Sequence, residues 1–208
     1  MKFTRRIKNL FFRIKESNLS VDQVCRPPYI ANLNPLYDRY NAKKLNLLNS
    51  ISLDLGAGAN MRNPFGCEQV FGVDISGDPS RNILGADLVL GPIPFDSNSL
   101  DFVTSYDFLE HVPRIIYTPQ RRLPFIEIMN EIFRVLKPGG IFLSHTPIFP
   151  YHSAFRDPTH VNILTSETFP LYFDDKNTWG KTYGFNGKFK VLEQCIKPPH
   201  LVSILQKF

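Results

Sequence analysis

Ile51-Ser52-Leu53-Asp54-Leu55-Gly56-Ala57-Gly58-Ala59-Asn60 is the stretch on which the fold turns. An apolar β run enters a glycine pair, and glycines there let the backbone bend sharply and let a ligand come within contact distance of the main chain. Sixteen residues after Gly58, Phe71-Gly72-Val73-Asp74 ends a second β run. Its Asp74 carboxylate then stands beside the glycine loop, where it can accept from two vicinal ribose hydroxyls. Asp87, in Gly85-Ala86-Asp87-Leu88, closes the next run and is placed to accept from an adenine amino group. A dinucleotide loop needs G-x-G-x-x-G, and Met61 holds the third glycine's place. The order therefore points to an adenosine ligand without a pyrophosphate. Each part alone also reads as a turn glycine or a helix-capping aspartate.

Working outward, the strands expected are Ile51 to Leu55, Gln69 to Asp74, Ile83 to Asp87, Leu100 to Ser105 and Ile141 to His145. Asn34-Pro35 reads as an N-cap and first helical residue, opening a helix to about Leu48. Phe125, Ile128, Met129, Ile132, Phe133 and Leu136 recur at helical spacing until Pro138-Gly139-Gly140 stops them. Short apolar strands separated by helices imply parallel pairing, because parallel strands need crossover connections. Phe189 to Ile196 and Leu201 to Phe208 flank Lys197-Pro198-Pro199-His200, a spacer of turn length that predicts an antiparallel pair. The expected fold class is α/β with an antiparallel edge. Residues 1–50 read as a basic, then polar, lead-in. Residues 51–208 read as one domain, with a cofactor half over 51–145 and an acceptor-side half over 146–208.

The ordered set resembles the class I S-adenosylmethionine-dependent methyltransferases. The resemblance is close over roughly residues 50–145. It rests on Asp54-x-Gly56-x-Gly58 with Asn60 where the family often has a third glycine, on Asp74, and on Ala86-Asp87 followed by Pro94-Phe95. Asp101-Phe102-Val103 leading to Phe108-Leu109-Glu110-His111-Val112, and Arg134-Val135-Leu136-Lys137-Pro138-Gly139-Gly140, complete it. The resemblance implies a Rossmann-like, mostly parallel seven-stranded sheet with an antiparallel last strand and helices on both faces. It implies S-adenosyl-L-methionine as cofactor, lying across the carboxyl ends of strands 1, 2 and 4. On this pattern Asp54 to Gly58, including Leu55 and Ala57, face the methionine part. Asp74 and Ile75 take the ribose side, and Ala86, Asp87 and Leu88 the adenine. Ser105 and Tyr106 approach the sulfonium, whose charge an aromatic ring can attract. Glu110 and His111 read as architectural.

Methyl transfer to a hydroxyl needs alignment and a proton acceptor. The segment Ser144 to Val161 holds three of the five histidines, His145, His152 and His160, with Arg156 and Asp157. His145 ends strand 5, and Asp157 is expected to orient either it or His160 as a base. The bland alternative is that Asp157 and Thr159-His160 tie down a loop through hydrogen bonds. Histidine spacings of seven and eight residues argue against a metal site, and none is expected. Phe155 to Val161 is similar to a segment of small bacterial methyltransferases, some associated with surface-polysaccharide building. A sugar or lipid-linked hydroxyl is the favoured small-molecule acceptor. A nicotinamide-dependent oxidoreductase and a catalytically silent cofactor-binding module are the rival readings.

The 208 residues, 43% of them apolar, suffice for one domain and contain no apolar run long enough to span a bilayer. Six cations, Lys2, Arg5, Arg6, Lys8, Arg13 and Lys15, precede the first acid, Glu16, which leaves 18 cations against 19 anions in the rest. Such a body lacks the basic face of a nucleic-acid binder, and no nucleic-acid partner is expected. Phe3, Ile7, Leu10, Phe11 and Ile14 form an apolar stripe opposite those cations, as in helices that lie on anionic membrane surfaces or dock on a domain. Three unpaired cysteines, Cys25, Cys67 and Cys195, and no continuous apolar leader predict a cytoplasmic protein, with peripheral membrane contact through residues 1–15 as one use of the stripe.

Overall fold

The computed structural model of the protein describes residues 27–208. The amphipathic stretch expected over residues 1–15 lies outside them. Seven strands, β1 (Ile51–Leu55), β2 (Gln69–Asp74), β3 (Ile83–Gly85), β4 (Leu100–Tyr106), β5 (Leu136–Pro147), β6 (Phe189–Lys197) and β7 (His200–Lys207), form one sheet in the order β3-β2-β1-β4-β5-β7-β6. β1 to β5 pair in parallel, and β7 runs antiparallel to both β5 and β6. The expected antiparallel pair is present, with β7 second from the edge and β6 outside it.

The central strands are buried on both faces, as parallel strands must be. All of β4 is buried, and its alternate residues serve different cores. Val103 packs with Phe142, Leu205 and helix α2 (Pro124–Val135), whose Phe125, Ile128, Met129 and Ile132 face the sheet. Phe102 packs with Phe65, Ile141, Leu143, Val202 and Ile204, beneath Leu33 and Leu36 of the region around helix α1 (Asn34–Arg39). Helices thus cover both faces. Each large side chain buried there contributes on the order of 1.5–3 kcal/mol.

The structure corrects the expected helical connections. No α-helix joins β1 to β2, β2 to β3 or β3 to β4; a single 3-10 turn, Pro79–Arg81, stands among them. The β1–β2 link carries too many breakers, with Gly56, Gly58 and Gly66 all at positive φ. A clasp replaces the helix: the Asn63 side chain accepts from Cys67 N and donates to Cys67 O, both at 2.9 Å. Phe65 plugs this loop into the second core, fully buried and stacked on Phe102 at 4.7 Å. Helix α1 also ends at Arg39 instead of near Leu48 and gives way to turns, in which Asn41 Oδ1 accepts from Lys43 N at 3.0 Å and Asn46 and Asn49 take left-handed conformations. Asn34 lies inside that helix, with Leu33 at the cap position. Pro138-Gly139-Gly140 sits within β5 at a register shift opposite Leu100 to Phe102. A Cβ on Gly140 would lie 2.9 Å from Lys137 O and 3.1 Å from Asp101 O.

Candidate functional site

The switch in strand order between β1 and β4 opens the carboxyl edge of the sheet, where α/β ligands bind. The glycine loop forms one wall of that edge. Gly56 N and Ala57 N donate to Val73 O at 2.9 and 3.1 Å, folding the loop back over β2. Gly58 N donates to Asp74 Oδ2 at 3.0 Å, and Ser76 N donates to Asp74 Oδ1 at 3.2 Å. Each carboxylate oxygen has about two acceptor sites, so both oxygens of Asp74 retain capacity for a diol. Space above Gly58 is open, since a Cβ there would meet nothing within 4 Å. Ile75 is 76% exposed beside it, an apolar surface for a planar group. These features fit the adenosine half of S-adenosyl-L-methionine.

Other residues expected at the cofactor make contacts within the protein. Asp54 is fully buried, and both its oxygens are engaged, by the Thr104 hydroxyl at 2.7 Å and Arg62 N at 2.9 Å. Burial raises its carboxyl above the usual range, while those two donors oppose the shift. Asp54 therefore anchors the loop from beneath. Leu55 and Leu88 lie in the first core, and the Ala57 side chain packs where a Cβ on Gly72 would fall, 2.7 Å away. Asp87 Oδ1 accepts from Val89 N at 2.9 Å in a turn. Ala86 is half-buried against the first core. Ser105 is fully buried, and its hydroxyl has no partner. Asn60 keeps a negative φ, so no left-handed residue is needed there.

Tyr106 carries a further correction. The Arg62 guanidinium carbon lies 4.6 Å from its ring centroid, and His145 packs on the same ring at 5.2 Å. The seat expected for a sulfonium cation is already faced by a protein cation. Tyr106 Oη donates to Tyr37 Oη at 3.2 Å, and burial pushes the Tyr106 phenol pKa up.

The reacting edge gathers groups that local sequence did not join. His145 lies two residues before the end of β5 with 13% of its side chain exposed, 4.0 Å from Asp107 Oδ1 and stacked on His200 at 4.2 Å between ring centroids. His200 Nε2 approaches the same Asp107 oxygen at 2.9 Å. Burial and the adjacent His200 lower the His145 pKa to about 4, against the opposing charge of Asp107. Burial alone would raise Asp107, yet its hydrogen bond and charge contact with His200, with help from His145 and Arg62, hold it below the usual range. Asp107 sits at φ +50 immediately after β4, a left-handed conformation that aims its carboxylate back over the sheet edge. Asp157 stands elsewhere: it accepts from Thr159 N at 2.8 Å and Thr159 Oγ at 2.7 Å and lies 3.9 Å from His160. Of the two partners expected for Asp157, the structure supplies His160, and Asp107 takes its place beside His145.

His200 was readable in principle. A strand antiparallel to β5 must begin at the carboxyl edge of β5, so the Lys197 to His200 spacer was bound to arrive at this site. Asp107 has no comparable sequence signal beyond its position one residue after the strand. Glu110, read as architectural, is buried with both carboxylate oxygens unpartnered, and burial raises its pKa to about 8. The more open clefts lie elsewhere. One is lined by Pro92 to Asp96 with Arg134, and another by Lys137 to Ile141 at the amino edge.

Residues 53–144 match a family model described as a methyltransferase domain. A curated relative, the "Probable S-adenosylmethionine-dependent methyltransferase" of Mycolicibacterium smegmatis, is 26% identical over 125 residues. That alignment covers 49% of this chain and 45% of the relative, so the chain spans under half of the relative's length. Two solved structures share the fold. A protein of Pyrococcus horikoshii is 19% identical, with a TM-score of 0.55 over 85% of this chain and 88% of the other. The 1,6-didemethyltoxoflavin-N1-methyltransferase of Burkholderia thailandensis, solved with its acceptor and S-adenosylhomocysteine, is 13% identical, with a TM-score of 0.52 over 99% of this chain and 89% of its own.

Proposed function

We propose that the chain, whose residues 53–144 match a methyltransferase-domain model, is a class I S-adenosylmethionine-dependent methyltransferase that methylates a hydroxyl of a small-molecule acceptor, a sugar or a lipid-linked saccharide. The cofactor supplies a methyl group on a sulfonium, a leaving group that needs little help. What remains for the protein is to hold the cofactor, align the acceptor and take up its proton.

The observation that carries this reading is the Asp107, His145 and His200 group at the carboxyl edge, beside Tyr106. His145 is held neutral at physiological pH, so its imidazole is free to accept a proton. Asp107, 4.0 Å from His145 Nδ1, stabilises the imidazolium that results. The shorter Asp107 contact to His200, 2.9 Å, favours a second assignment in which His200 accepts the proton and His145 packs against it. A hydroxyl acceptor is favoured because an amine needs no such base at its own lone pair. Saccharide acceptors are supported by the exposed aromatic faces that follow β5 at this edge, Phe149 and Phe155, on which sugar rings stack.

Calorimetry with S-adenosylhomocysteine, then turnover with nucleotide sugars and lipid-linked saccharides, tests the reading. His145→Ala is expected to abolish turnover while changing S-adenosylhomocysteine affinity by no more than a few fold. Full turnover in His145→Ala, with loss in His200→Ala, moves the proton to His200. Full turnover in both variants refutes base catalysis at this cluster.

A further inference from the structure

Immediately after β4, the 3-10 turn Leu109–His111 directs Glu110 inward and His111 outward. Glu110 is 1% exposed, and neither carboxylate oxygen has a hydrogen-bond partner. The 157–162 loop closes over it in a fixed register. Val161 N and Asn162 N both donate to Glu110 O at 2.9 Å, and Asn162 Nδ2 donates to Leu109 O at 3.0 Å. This clamp brings the His160 ring to 4.8 Å from the His111 ring, and His160 Nδ1 is buried without a partner. One donor atom from each of Glu110, His111 and His160 lies within 4.8 Å of the other two.

A buried carboxyl group without partners, close to imidazole nitrogens that also lack them, is costly until something between them satisfies both. The surrounding bonds prepare one imidazole for that role. Thr159 Oγ donates to Asp157 Oδ1 at 2.7 Å, so at its 2.9 Å contact with His111 Nδ1 the hydroxyl accepts. His111 Nδ1 therefore carries the proton, and its Nε2 presents a lone pair. This carboxylate–hydroxyl–imidazole relay is the outer-shell arrangement that orients histidine ligands.

We propose that Glu110, His111 and His160 bind one divalent transition-metal ion of the zinc class, leaving at least one coordination position to water. Two imidazoles and a carboxylate suit such an ion and suit Mg²⁺ poorly. Metal–ligand bonds of about 2.0–2.2 Å draw ligand atoms to about 3.4 Å apart, a contraction for small shifts of the three side chains, with His111 tilting about its Nδ1 contact to Thr159. The neighbouring Asp107, His145 and His200 group also offers three donor atoms. There, however, the carboxylate is half-exposed and already bonded to His200, so a proton satisfies it without an ion. Histidine spacing along the chain argued against a metal; the contact arises only when the 157–162 loop folds back on the turn after β4. An ion at this point would pin that loop to the sheet edge, whatever the acceptor.

The full chain, stripped with EDTA and dialysed, is titrated calorimetrically with Zn²⁺ and separately with Co²⁺. The expected result is one ion per chain, with affinity weakened at least a hundredfold in Glu110→Gln and in His160→Ala and within threefold of wild type in His200→Ala. The Co²⁺ form of the wild-type chain gives a reading that does not depend on whether the variants fold: visible d–d bands of nitrogen and oxygen ligation, with no thiolate charge-transfer band. Absence of stoichiometric binding, undiminished binding by Glu110→Gln, loss in His200→Ala with retention in Glu110→Gln, or a thiolate band would each overturn the site.

Discussion

Asp74→Asn isolates the carboxylate that the cofactor site depends on. In the structure each Asp74 oxygen accepts one backbone N–H, from Gly58 at 3.0 Å and from Ser76 at 3.2 Å. That leaves about one acceptor position per oxygen for a pair of ribose hydroxyls. Hydrogen bonds to a charged acceptor contribute roughly 1.5–3 kcal/mol each. The amide keeps one acceptor oxygen and loses the charge, so its cost is about one such bond, and affinity for S-adenosylhomocysteine falls about ten- to hundredfold. Asp74→Ala loses both bonds, about 3 kcal/mol at the lower end, or more than a hundredfold. Fold stability is expected to move by only about 1 kcal/mol, because the carboxylate is partly solvated and Gly58 N can turn to water. Calorimetry gives the affinity and urea unfolding gives the stability. An Asp74→Asn chain that binds S-adenosylhomocysteine within threefold of wild type would refute the placement of the ribose at β2.

Two further perturbations test the scaffold. Gly56 has φ +65, and a Cβ there would lie 2.7 to 2.9 Å from Phe108 side-chain atoms, whereas Gly58 has φ +53 and open space. Gly56→Ala is expected to cost about 2–4 kcal/mol and Gly58→Ala about 1–2, as strain plus overpacking against strain alone; equal losses in urea unfolding would show that Phe108 does not press on the loop. The His145 imidazole stays neutral in the folded chain down to about pH 4, while the unfolded chain takes up its proton near the ordinary value of 6.5. Between those values the unfolded state binds more protons, so this residue's contribution is fully present above pH 6.5 and is lost as pH falls towards 4. Relative to His145→Gln, wild type should lose about 1–2 kcal/mol between pH 7 and pH 5; a pH-independent difference would mean that the imidazole is not held neutral by its surroundings.

Local pattern carried much of the fold. β1 and β2 fall where the apolar runs placed them, since strands buried on both faces read as continuous apolar segments with glycine or acid at their ends. The Pro124–Val135 helix follows its 3.6-residue spacing. The helix expected to reach Leu48 stops at Arg39 and gives way to turns that include the left-handed Asn46 and Asn49, and nothing in apolar spacing reports a backbone conformation. At the site, Gly58 and Asp74 were legible because strand order alone puts them side by side. The Asp107 to His200 contact, 93 positions apart in the chain, depends on β7 lying antiparallel against β5. The anchoring bond of Asp54 was not legible, because sequence shows that a carboxylate lies near the end of a strand but not that Thr104 waits opposite it in register.

The clasped link between β1 and β2 has a kinetic corollary. Held by loop hydrogen bonds, the Asn63 clip and one aromatic plug, Phe65, with no strand pairing of its own, this thirteen-residue segment can detach without unzipping the sheet. Its amide protons should therefore exchange with heavy water through a subglobal opening, faster than those of β4, and slow sharply once nucleoside is bound. Ligand residence would then be governed by how often a buried phenyl ring leaves its socket on the far face of the sheet.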